Sequence, residues 1–136
     1  MRVALITFCP PEDGKSAEII KRLGGGAASS ENQVELVNGL EDLVNTRLTV
    51  FDYIAVVIRS GAFFSSKIPA RVQEFLSTSG NISGKKGCAL VVKGGFSSEK
   101  TCRNLMKVLE SQGLRLDYSD VVRDDEHARY VAKKIG

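Results

Sequence analysis

The chain has 136 residues, of which 43% are hydrophobic, and a formal charge of +3. That length suits a single domain spanning residues 1 to 136 with a proper core, and leaves no room for a second one. The basic residues are scattered from Arg2 to Lys134 without an aromatic-interleaved stripe, so nucleic acid is excluded as a partner, and no apolar run is long enough to span a membrane.

The three cysteines, Cys9, Cys88 and Cys102, are odd in number and show no C-x-x-C pairing, which points to a reduced, cytoplasmic protein. At the amino terminus a single Arg precedes a short apolar run that stops at Cys9-Pro10-Pro11 with no small-residue cleavage pattern. It reads as a strand and not as a signal peptide.

That first run, Val3 to Phe8, is continuous and partly β-branched, as a strand buried on both faces requires. Cys9 to Ser16 is a turn-forming loop, and Ala17 to Leu23 places Ile19, Ile20 and Leu23 on one helical stripe. The small-residue stretch Gly24 to Ser30 is expected to end this helix. Gln33 to Asn38 reads as an edge strand, and Gly39 to Thr49 carries Leu40, Leu43, Val44 and Leu48 at near-helical spacing. Tyr53 to Ile58 is the strongest central-strand candidate, followed by a loop from Arg59 to Ser66. Pro69 opens a helix with Val72, Phe75 and Leu76 inward.

Gly87 to Val92 is a third buried strand, with Lys93 to Ser98 as its carboxyl-end loop. Ser97 or Ser98 then caps a helix through Gln112 that turns Cys102, Leu105, Met106 and Leu109 inward, and Gly113 is a natural stop. A last strand, about Leu114 to Val122, leads to a charged helix from Asp124 to Ile135. Strands alternating regularly with helices predict an α/β sandwich of three layers around a parallel sheet.

The order strand, tight polar loop, helix start puts an anion site at the beginning of the first helix, because first-turn amides have no intrahelical acceptor and the helix dipole favours negative charge there. Gly14-Lys15-Ser16 adds close backbone approach, a cation and a hydroxyl. Cys9 to Ser16 also matches the P-loop pattern G-x-x-x-x-G-K-[ST] in all but its first glycine, which is Cys9. Nucleotide hydrolysis and phospho-receiver chemistry both call for an Asp at the end of the third strand, where Arg59-Ser60 stands, although Glu12 and Asp13 would serve a receiver as its acidic pair. His127, the only histidine, reads as a surface residue of the terminal helix, so no zinc site and no Ser-His-Asp set is legible. Cys9 reads as a small buried hydrophobe, or as a redox thiol if the nearby helix start depresses its pKa.

The runs Phe51 to Ile58 and Ser83 to Gly95, with Gly61, Pro69 and Phe75-Leu76 between them, resemble the middle of a flavodoxin-like, FMN-binding domain, and the resemblance covers nearly the whole chain. Asp13 to Ser16 and Ile58 to Ser65 are similar, within that fold, to the loops of small quinone-coupled protoporphyrinogen oxidases. The resemblance implies a five-stranded parallel sheet in the order 2-1-3-4-5, with FMN at the switch point beside strands one and three. It puts the FMN phosphate on Gly14, Lys15 and Ser16, with Thr7 nearby. It sets Ser60, Gly61, Ala62 and Phe63 on one side of the flavin ring and Gly94, Gly95 and Phe96 on the other, where glycines admit the main chain and Phe offers stacking. The implied role is that of a flavoprotein in electron transfer or another FMN-dependent oxidoreductase reaction, working with a redox partner protein or a small-molecule electron donor or acceptor.

Three features depart from the family. Its phosphate loops are rich in Ser and Thr where this chain has Cys9, Pro10, Pro11, Glu12 and Asp13; its electron shuttles are acidic where this chain is mildly basic; and no Trp is present for stacking. Two prolines remove amide donors and two carboxylates oppose a phosphate. A second reading follows from these departures: a flavin-free interaction module that binds a protein partner through its carboxyl-end loops, with Phe63, Phe64 and Phe96.

Overall fold

A computed structural model describes residues 1–10, 12–28, 31–41, 47–60, 66–94 and 97–136. Five strands, β1 (Arg2–Thr7), β2 (Gln33–Asn38), β3 (Tyr53–Arg59), β4 (Lys86–Val92) and β5 (Arg115–Val122), form one parallel sheet in the order β2-β1-β3-β4-β5. The helices are α1 (Gly14–Ala28), α2 (Ala70–Ser77), α3 (Ser98–Ser111) and α4 (Asp125–Ala132), with a 3-10 turn at Leu48–Val50. This is the doubly wound topology that the alternation of elements predicts.

The period of two along each strand divides the core. Val3 and Leu5, Tyr53, Ala55 and Val57, and Cys88, Leu90 and Val92 face α1 and α4, meeting Ile19, Leu23, Ala128 and Val131. Ala4 and Ile6, Ile54, Val56 and Ile58, and Ala89 and Val91 face α2 and α3, meeting Val72, Phe75, Leu76, Leu105 and Leu109. Strands covered on both faces have no polar alternation, which is why β1, β3 and β4 read as unbroken apolar runs. Tyr53 is fully buried and donates its hydroxyl hydrogen bond to Asp117 Oδ1 at 2.6 Å, so its polar end is satisfied inside the sheet layer.

The expected stop of α1 needs correction. Gly24, Gly25 and Gly26 lie within a 15-residue helix that runs to Ala28, and Ala27 is buried. Gly26 faces α4 so closely that a Cβ on it would come within 2.4 Å of the Ala132 Cβ, and Gly24 lies against Leu36. Gly26 thus serves helix-helix approach rather than termination, and burial of the α1 face against α4 outweighs the poor helix propensity of the three glycines. Other bounds moved little: α3 begins at Ser98 after Ser97, Gly113 takes φ +93° beyond its end, and α4 begins after Asp124, which accepts the amide of His127 at 2.8 Å as a cap. Residues 42–46, the middle of the near-helical stretch before β3, lie outside the described residues.

Adjacent glycines in α1 give opposite expectations. Gly25 has open space where a Cβ would stand, so Gly25→Ala is expected to raise stability by about 0.8 kcal/mol through helix propensity alone. Gly26→Ala is expected to lower it by about 1 to 2 kcal/mol, because overpacking against Ala132 exceeds the same gain. Urea unfolding of the two variants checks the difference in sign.

Candidate functional site

The site begins with a difference in strand length. Thr7, the last residue of β1, pairs with Val57, so β3 continues two residues further and carries Arg59 above the loop that leaves β1. By the period of two, Arg59 follows Val57 on the side of α1. There its guanidinium forms an ion pair with Asp13.

Asp13 is the N-cap of α1. Its carbonyl accepts the amide of Ala17 at 3.0 Å, its Oδ1 accepts the amide of Ser16 at 3.3 Å, and its Oδ2 accepts the Ser16 hydroxyl. The Asp13 side chain is only 8% exposed, against 43% for Arg59, so the carboxylate is the inner member of the pair. Burial pulls its pKa upward. The bonds from the Ser16 hydroxyl, Arg59 and the Ser16 amide outweigh burial and hold the pKa below the ordinary carboxylate value. Cys9 lies beside this group, buried, with its thiol pKa pushed up to about 11 chiefly by burial, so the thiol is protonated at neutral pH and not a depressed redox thiol.

A second set of bonds ties β3 to β4. Ser60, just after β3, donates its amide to the carbonyl of Val92 at 3.2 Å, and its buried hydroxyl donates to the carbonyl of Gly94. The Ser98 hydroxyl, at the start of α3, lies 3.0 Å from Ser60 Oγ and accepts the amide of Gly94 at 3.3 Å. Lys15 reaches across the edge, its Nζ donating to the carbonyl of Lys93 at 3.2 Å. The carboxyl ends of β1, β3 and β4 are thus joined through polar side chains of Asp13, Lys15, Ser16, Arg59, Ser60 and Ser98.

Of the residues expected at a phosphate, Gly14 and Lys15 are exposed at the start of α1, and their amides have no acceptor among the described residues. A Cβ on Gly14 would meet nothing within 4 Å, so this glycine is not required by packing. Ser16 is fully buried and its one hydroxyl proton is given to Asp13. Thr7 is half-buried, its carbonyl taken by the amide of Gly39 at 2.7 Å. Ser60 and Gly94 are brought together as described. Gly61, Ala62, Phe63, Gly95 and Phe96 lie outside the described residues, as does Phe64.

These residues test the fit of a phosphate directly. The Gly14 and Lys15 amides, without an acceptor among the described residues, and the cations of Lys15 and Arg59 suit an anion, but Arg59 and Ser16 already hold one in Asp13, so a phosphate engages those two only by exchange with that carboxylate. Left in contact, the two anions would repel by about 1 kcal/mol per charge pair in water and about 4 kcal/mol near a protein surface. The recess between the starts of α1 and α4 adds to this, being lined by Lys15, Ile19, Glu18, Asp124, Asp125 and Glu126.

Asp13 as a cap and Ser98 as a tie were missed in the sequence, although an Asp three residues before Ser16 at a helix start is a capping signal. His127 also needs correction: it is not a surface residue. Its ring accepts the Arg123 amide at Nδ1 (3.2 Å), so the neutral ring carries its proton on Nε2 and gives it to Asp120 Oδ2 at 3.1 Å, which also accepts the Tyr118 hydroxyl at 2.7 Å. This chain fixes the corner between β5 and α4. Among the described residues no group of His, Cys, Asp and Glu is placed to hold a metal, and no helix is long and apolar enough to cross a membrane.

No protein-family model and no curated protein matches the chain. Solved structures do. A flavodoxin from the domain Archaea superposes with a TM-score of 0.71 at 15% identity, covering 99% of this chain and 96% of that one. Oxidised Flavodoxin 1 from Bacillus cereus gives 0.70 at 14% identity over 98% and 94% of the two chains, and azoreductase AzrA gives 0.67 at 10% identity over 99% and 100%. The chain therefore has the flavodoxin-like fold, as the sequence resemblance implied.

The Asp13 cap has a pH signature. A carboxylate whose folded pKa is depressed contributes stability above its unfolded value, about 3.9, and loses it as pH falls through the folded value. The stability advantage of the protein over Asp13→Asn is expected to be largest above about pH 5 and to shrink steadily below about pH 4. Urea midpoints of both proteins between neutral and acid pH measure it, and a difference independent of pH would mean that Asp13 is not held ionised by its partners.

Proposed function

We propose that the carboxyl edge at β1 and β3 is a noncovalent FMN site, and that the chain takes part in electron transfer or flavin-dependent redox chemistry with a partner protein or a small-molecule donor or acceptor. The observation that carries this reading is the convergence of the Gly14 and Lys15 amides, which have no acceptor among the described residues, with two cations, Lys15 and Arg59, at the switch point of a flavodoxin-like sheet. When bound, the flavin supplies the redox chemistry.

The chain's part is to bind and orient. Gly14 and Lys15 offer amides to the phosphate, with Thr7 nearby, and Ser16 joins them once its hydroxyl is released from Asp13. Ser60, Gly61, Ala62 and Phe63 flank the ring from one side, and Gly94, Gly95 and Phe96 from the other. The ties from Ser60 and Ser98 to Gly94 join the ends of β3 and β4 from which those loops leave.

A second reading has its own observation in its favour. Asp13 already caps the start of α1 through the Ser16 amide and hydroxyl, as it would in a flavin-free module that keeps the sheet and binds a protein partner through its carboxyl-end loops. Phosphate-competitive anions matter to the first reading and not to the second.

Titration of FMN, followed by quenching of its fluorescence and by the visible spectrum, tests the proposal. Gly14→Val is the informative variant: it has room in the folded chain, so its unfolding midpoint without FMN is expected to match the parent, while its affinity falls about tenfold or more because the side chain blocks the approach to the amides. Lys15→Ala is expected to weaken binding less and in a salt-dependent manner. Equal affinity in all three proteins would place the flavin elsewhere; a protein that neither colours nor quenches FMN would have no such site.

A further inference from the structure

The start of α1 is an anion seat with an anion built into it. Three donors converge on the Asp13 carboxylate: the Ser16 amide, the Ser16 hydroxyl and the Arg59 guanidinium. The loop offers little to a competitor. Pro10 and Pro11 carry no amide proton, the Asp13 amide is spent on the carbonyl of Pro10 at 3.0 Å, and the Ala17 amide on the carbonyl of Asp13. Only the amides of Gly14 and Lys15 are left without an acceptor among the described residues. The charge around them is mixed: Lys15 and Arg59 favour an anion, while Glu18, Asp124, Asp125 and Glu126 stand in the neighbouring recess.

We propose that Asp13 is the specificity-determining residue of this edge, a built-in competitor for the phosphate that removes the usual advantage of a phosphorylated flavin over the same flavin without its phosphate. This rests on the flavin reading above for its ligand, but not for its mechanism. A phosphate at the Gly14 and Lys15 amides gains Ser16 and Arg59 only by displacing the carboxylate from them, so those bonds are matched by the ones it breaks; if it leaves Asp13 in place, it stands beside a like charge that already holds the nearest cation. A phosphate-free flavin leaves the cap in place and meets no such exchange.

Asp13→Asn separates the two roles of the residue. Asn caps a helix start as well as Asp and carries no charge, and Asp13→Ser, also a good cap, serves as the second variant. Unfolding midpoints establish that each is folded. In the parent, FMN and riboflavin are expected to bind within about threefold of one another, and in both variants the ratio of FMN to riboflavin affinity is expected to rise about tenfold, because Arg59 is freed and the competing charge is gone. Inorganic phosphate gives an arm that involves no flavin: it is expected to raise the thermal midpoint of the variants and not that of the parent.

A parent that prefers FMN by about a hundredfold, or variants whose ratio does not move, overturns the role given to Asp13 while leaving the flavin site standing. If neither flavin binds any of the proteins but phosphate stabilises only the variants, the flavin reading falls and the competitor role of Asp13 stands. If phosphate acts alike on all three and no flavin binds, both fall.

Discussion

Burial of the sheet on both faces is the constraint from which the rest follows. With β1, β3 and β4 covered by helix pairs on either side, every inward position along them is apolar, and a polar or charged group has no place within the sheet unless it is partnered as Tyr53 is by Asp117. Chemistry is thereby confined to the strand ends. Because the strands are parallel, the loops that leave β1, β3 and β4 all open at one edge, and the helices α1 and α3 begin there. The clustering of Asp13, Lys15, Ser16, Arg59, Ser60 and Ser98 at that edge is a consequence of topology before it is a matter of function.

The ion pair between Arg59 and Asp13 depends on this topology in a specific way. Were β3 to end level with β1 at Val57, its next polar residue would not reach over the first loop; two more residues of strand carry Arg59 there on the correct face. An Arg at this position, where a receiver domain or a hydrolase would need an Asp, also explains how the Asp13 side chain can be largely covered: its charge is balanced by the guanidinium and by two hydrogen bonds from Ser16.

The architecture was legible because two-sided burial writes itself into the sequence as unbroken apolar runs at Val3, Tyr53 and Gly87, each followed by a loop and a helical stripe. What misled was local chemistry whose meaning depends on a distant partner. Gly24-Gly25-Gly26 has the composition of a helix stop, and only the approach of Ala132, far along the chain, makes it a packing surface. His127 looks like one polar residue among many on a charged helix until Asp120 is brought within 3.1 Å of it. Asp13 was read as an obstacle that had to turn away from an anion site. The partners that turn it inward, Ser16 and Arg59, are respectively three and 46 residues away, and only the first lies within reach of a local pattern.

The cap also settles what the loop does when nothing is bound. An N-cap carboxylate contributes about 1 kcal/mol to a helix, and its charge interacts favourably with the dipole at the same end. A helix start without such a cap leaves its first-turn donors facing outward, where an anion that fills the site would satisfy them. In this chain Asp13 takes one of these donors, the Ser16 amide, from within, together with the Ser16 hydroxyl. The helix start is therefore capped before any ligand arrives. The bonds that cap it are also those a phosphate must break to reach Ser16 and Arg59, so stability of the free chain and affinity for a phosphorylated ligand draw on a shared set of hydrogen bonds and cannot both be raised by strengthening it.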